Sequence, residues 1–172
     1  MQALEFKLFF YEILMENIFL RRSFMRDSIL ICTILGVAGS VVMNVIMYLA
    51  LLFGLPVTSP WEIAADIFLT SNLINSPLGI FIGLTGTVAL SIVTAVLILT
   101  VLNLTGVDYS TLKGIVTANA LGFVTMGLFM PLLKISPHVQ SEPLTNILAL
   151  INLSIMGALM GYFIKRLSNL AG

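Results

Sequence analysis

Four long apolar runs, each bounded by short polar clusters, set the pattern of this chain. They cover about 28–53, 79–103, 111–133 and 144–165. Crossing a hydrocarbon layer takes about 20 mostly apolar residues in one helix. Each run is long enough, and no acid or base sits near its middle. A charge there would cost about 2.5–3.5 kcal/mol on the insertion scale. The pattern predicts an all-α, polytopic four-helix bundle forming one membrane domain, 1–172.

The polar clusters mark the ends. Gly106 follows the second run, where a helix stop is expected. Ser110 reads as the N-cap of the third. Ser141, Glu142 and Pro143 read as the start of the fourth. Pro131 falls in the last turn of the third run and bends that end. Between the first two runs, Ser59, Pro60 and Glu62 form a helix start of cap, first-turn proline and third-position acid. That short helix, about 60–71, cannot span. Trp61 suits a water–lipid boundary, so an amphipathic helix lying at the outer surface, or dipping in and returning, is expected. The residues before the first run, 1–26, carry Glu5, Glu12 and Glu16 at helical spacing among Phe, Leu and Ile. They read as an interfacial helix rather than a span or a signal peptide.

Composition agrees with the pattern. Hydrophobic residues make up 59% and charged residues 9%, with a mean hydropathy of +1.09. Too little polar surface remains to cover a water-soluble fold. Arg21, Arg22 and Arg26 precede the first run, and Lys165 and Arg166 close the last. The positive-inside rule puts both termini in the cytoplasm, as an even number of spans requires. Zero formal net charge and the lack of a basic stripe leave no nucleic-acid surface. Cys32 lies alone in an apolar run and reads as packing.

Candidate chemistry is sparse. Glu62 and Asp66 share one face of the short helix. They serve either as cap and wet face, or as carboxylates at a pore mouth that contact a cation. Small residues recur at fours: Gly79 and Gly83; Gly114, Ala118 and Gly122; Gly157 and Gly161; with Gly36, Gly39 and Ser40 in the first run. Such seams let helices approach closely, within one chain or between copies. Asn44, Asn119 and Asn152 lie inside runs, where an unpaired amide is costly. They bond to one another across the bundle, or line a polar interior with Thr117, Thr125 and Ser154. No phosphate loop, HExxH, Cys/His cluster or Ser–His–Asp set is present in the sequence, and no metal or other cofactor is expected.

At Ser59-Pro60-Trp61, the glycine-rich second run and the closing Gly161-Tyr162-Phe163, the chain resembles small four-span membrane proteins of spore-forming bacteria, the YqhR-like group. That resemblance implies a bacterial cytoplasmic (inner) membrane and brings no functional residues with it. Two functional expectations stand. One is a non-catalytic membrane protein that packs with itself or a membrane partner as an assembly or accessory component. The other is a small oligomeric channel or passive transporter with an acidic outer mouth.

Overall fold

The computed structural model describes residues 28–168, and the expected helix over 1–26 lies outside them. The chain divides into two compact units, Met1–Ile31 and Cys32–Gly172. The packing that follows is that of the second. Helix α1 is Ser28–Leu52, the first of four helices long and apolar enough to cross a membrane. Then come α2 (Pro60–Asp66), α3 (Pro77–Thr105), α4 (Ser110–Val124), a π-helical turn (Thr125–Phe129), α5 (Met130–Leu133), a 3₁₀ turn (Pro137–Ser141) and α6 (Pro143–Ser168). The third span, Ser110–Leu133, is thus α4, the π turn and α5 in series. At 1.5 Å per residue, the 29 residues of α3 reach about 43 Å, more than a bilayer core needs. Large apolar side chains face outward along the spans: Phe81 is 69% exposed, Phe123 64% and Leu132 69%. In water these faces would aggregate; in lipid they are solvated. This is the architecture of a multi-pass membrane protein.

The boundaries follow local chemistry. After α1, Gly54 takes a left-handed φ of 77°, and Gly54 N–H and Leu55 N–H donate back to Leu51 O and Ala50 O. That is a Schellman stop. Ser76 caps α3 by accepting from Gly79 N–H at 3.1 Å, with Pro77 in the first turn. Gly106, φ 83°, ends α3 as expected. Lys113 Nζ then donates to Thr105 O and Gly106 O at 3.0 and 2.7 Å, capping the freed carbonyls. Ser110 is not the cap of α4; Tyr109 is, in left-handed backbone, and Ser110 is the first helical residue. Buried Ser110 is instead covered by Gly161, whose missing side chain leaves room for the Ser110 carbonyl. Pro131 acts one turn earlier than a simple bend. Without an N–H, it cannot continue the α ladder, and the preceding turn widens to π geometry, with Met130 N–H donating to Thr125 O.

Helix α2 is shorter than its sequence signals suggest. It ends at Asp66, and turns fill the stretch to Ser76. One side of it is set against α3. Ala64 and Ala65 are buried, at 2% and 0% exposure, and Gly86 of α3 lies against Ala64. Gly86 is about 13 Å into α3 by helical rise. The extended segment before α2 is also inside: Val57 packs with Met47 and Ala50 of α1 and against Leu144 and Leu148 of α6.

Candidate functional site

The small-residue seams divide into two kinds of contact. Gly114, Gly157 and Gly161 bring α4 and α6 together backbone to backbone: Gly114 faces the Gly157 carbonyl, and Gly161 the Ser110 carbonyl. Ala118 is fully buried against Gly157, and Gly122 receives the Leu153 side chain. Those five residues pack spans, as their spacing predicts. Gly79 and Gly83 do something else. Gly79 makes room for the carbonyls of Leu73 and Ile74, and Gly83 for that of Trp61. Their seam on α3 is the seat of α2 and its loop, not of another span. On α1, Gly36 meets the Ile92 backbone and Gly39 meets Met156 and Met160.

Asn44, Asn119 and Asn152 each reach a different helix, and none of the three bonds to another amide. Asn44 Nδ2 donates to Thr87 Oγ1 on α3 at 3.0 Å and to its own Ser40 O at 2.9 Å. Ser40 and Thr87 hydroxyls share a further bond of 3.0 Å. Asn119 Nδ2 donates from α4 to Ser154 Oγ on α6 at 2.8 Å. Asn152 Nδ2 donates from α6 to Met43 O on α1 at 2.9 Å. The chain of links runs α3–α1–α6–α4 and staples the bundle with bonds that water cannot replace in lipid. Thr117 and Thr125 hydroxyls turn back onto their own helix, to Lys113 O and Leu121 O. Two acceptors remain over: Asn44 Oδ1 and Asn152 Oδ1 are buried with no partner.

The carboxylates beside α2 are structural anchors in this geometry. Glu62 Oε2 accepts from Ser59 N–H at 2.7 Å, the acid's arm of a capping box, while the Ser59 hydroxyl has no partner. Asp66 Oδ2 accepts from both Ser136 N–H and Ser136 Oγ, at 2.6 and 3.0 Å. Ser136 sits at φ 41°, a left-handed conformation that costs a non-glycine residue about 1–3 kcal/mol. Two bonds to one carboxylate oxygen hold it there and tie the α5–α6 loop to α2. Sequence reasoning paired Asp66 with Glu62; its partner is a serine 70 positions away.

A third acid completes the set and was not singled out from the sequence. Glu142 Oε2 accepts from Thr58 Oγ1 at 2.8 Å and Thr145 Oγ1 at 2.7 Å, and Thr145 Oγ1 in turn accepts from Thr58 N–H. Burial pushes the Glu142 carboxyl up. The Thr145 and Thr58 hydrogen bonds and the nearby His138 outweigh it, leaving the group below its ordinary value. A depressed folded-state value stabilises the fold above the unfolded value, and the gain is lost as pH falls through the folded one. Thermal unfolding of the detergent-solubilised protein should therefore move to lower temperature on acidification. Glu142→Gln should show less of that acid-side drop, and a variant with an unchanged acid profile would refute the linkage.

The remaining feature is a cavity of about 260 Å³ at the centre of the bundle, bounded by all four spans and α2. Its wall is mostly apolar and rich in methionine: Met43, Met47, Met126, Met130 and Met156. Of the residues expected to form a polar interior, Thr125 and Asn152 reach it; Asn44, Thr117, Asn119 and Ser154 are engaged elsewhere in the helix contacts described above. A visible signal did exist. Met43/Met47 and Met126/Met130 stand at i, i+4 spacing, one helix face each. Among the described residues no group of three or more His, Cys, Asp or Glu could hold a metal.

No protein-family model, curated protein or solved structure matches this chain.

Proposed function

We propose that this protein works without covalent catalysis, as an accessory component of a bacterial cytoplasmic membrane that packs against a membrane partner or a second copy of itself. One observation carries the reading: Asn44, Asn119 and Asn152 bond from helix to helix, so the bundle closes on itself rather than around a polar path. The channel alternative relied on Glu62 and Asp66 as a free acidic mouth. Both carboxylates accept hydrogen bonds from the protein's own backbone, which suits anchoring better than ion capture. Both termini lie on the cytoplasmic side in this reading, as the basic residues at each end of the chain favour.

The seams give the association a place. Glycines of the spans that pack at Gly36, Gly39, Gly79, Gly83, Gly114, Gly157 and Gly161 are already filled from within the chain. Gly127, in the π turn, is exposed and has open space where a side chain would stand. A partner helix can approach closely there. Gly127→Leu should shift the complex isolated from native membranes to the mass of the single chain. Its stability should change little, by about 0.5 kcal/mol or less. A complex of unchanged mass would remove Gly127 from the interface. Cation flux into liposomes that disappears in Glu62→Gln/Asp66→Asn would overturn the accessory reading in favour of the channel.

A further inference from the structure

We propose that the central cavity holds one hydrocarbon chain of a bilayer lipid, admitted sideways between α3 and the π-helical turn. This goes beyond the packing role and does not depend on it. The first argument is depth. On α3 the wall runs from Thr87 to Thr94, the middle of the helix, so the cavity reaches from the end of the bundle that holds Thr58, Pro60 and Ile135 to the level of lipid tails. The second is access. Ile67, Leu90, Phe129 and Leu133 line the cavity and are also exposed, between 46% and 65%. They form an apolar rim that opens on the lipid-facing surface rather than on water.

The lining also favours a hydrocarbon occupant over water. A buried water needs about 2–4 polar partners. The side-chain donors on the wall are committed: Thr58 and Thr145 to Glu142, Thr87 to Leu84 O, Ser91 to Met156 Sδ, Thr94 to Leu90 O, Thr125 to Leu121 O, and Asn152 Nδ2 to Met43 O. Asn152 Oδ1 remains as an acceptor without a donor. The hydroxyl oxygens can still accept, but a wall with no free donor, otherwise of thioethers and methyls, offers water only half of its hydrogen bonds. The volume exceeds the roughly 150 Å³ that accommodates benzene in an apolar protein cavity, so a stretch of acyl chain fits. Methionines are the side chains best able to reshape around a flexible chain. The π turn contributes Thr125, Met126 and Phe129 to the same wall.

The test uses the full chain in phosphatidylcholine vesicles that contain a phosphatidylcholine with a photoactivatable diazirine midway along one acyl chain. After illumination, adducts are mapped by peptide mass spectrometry. Outward residues at similar depth, such as Val93 and Phe123, report ordinary surrounding lipid. Adducts on Met126 and Met156 are expected in addition. Ala149→Phe, which fills the cavity from α6, should lower these inner adducts about tenfold or more, because a filled core position admits no further atoms without strain. Outward labelling should not change. Met126→Trp fills the same space from the opposite wall, with the inner adducts then read on Met156, and serves if Ala149→Phe does not accumulate in the membrane. Adducts confined to outward residues in the unaltered protein would overturn the proposal, as would inner adducts that persist at full level in a filled variant.

Discussion

Gly157→Leu is expected to separate α4 from α6 and unfold the bundle. A Cβ at position 157 would stand 2.5 Å from the Gly114 carbonyl oxygen and 2.8 Å from the Ala118 Cβ. Neither neighbour is the free end of a flexible side chain, so the clash cannot relax by rotation. Overpacking typically costs about 1–3 kcal/mol where side chains can adjust; a backbone-to-backbone clash at this contact should exceed that. The same shift would stretch the Asn119–Ser154 bond, which spans the same pair of helices. Denaturant titration of the solubilised protein checks the prediction. Gly127→Leu is the control, because it makes the same change on a helix of the same bundle where the space is open. Equal stability of the two variants would contradict the close approach of α4 and α6.

Gly83→Leu is expected to leave the spans assembled and expel α2. The glycine accommodates the Trp61 carbonyl, and Gly86 one turn on accommodates Ala64. A leucine at position 83 would push the short helix off α3. With it would go the Asp66 bonds that hold Ser136 in left-handed backbone, so the α5–α6 loop should loosen too. The readout is thiol labelling of Ala65→Cys, a position with 0% exposure, in a Cys32→Ala background. Maleimide should react slowly in the parent and readily when Gly83→Leu is added. Stability should fall by about 3 kcal/mol or less, since the four spans keep their own contacts. A thiol at position 65 that stays protected would mean that α2 is held by something other than its seat on α3.

These two glycines also show how far the sequence could be read. Both stand in runs of small residues at fours, and the spacing alone predicts close approach. It does not name the neighbour. Gly157 meets another span, as expected; Gly83 meets a seven-residue helix that folds back into the bundle. Asp66 makes the same point. Its position four residues from Glu62 is a local fact, and it suggested a pair. The group that it binds comes from a loop after the third span.

The chain's own order of residues determined the four spans, their glycine and proline boundaries, and the need for each amide within a span to find a partner. Those are properties of a residue and its near neighbours in oil: length, hydropathy, backbone conformation and the penalty on an unpaired polar atom. Only the tertiary structure decided which helix each seam and amide meets, that α2 seats Ala64 and Ala65 against α3, and that methionines from α1, the π turn, α5 and α6 surround one cavity. Such choices depend on side chains far apart in the chain arriving at the same place, and no local period encodes that distance.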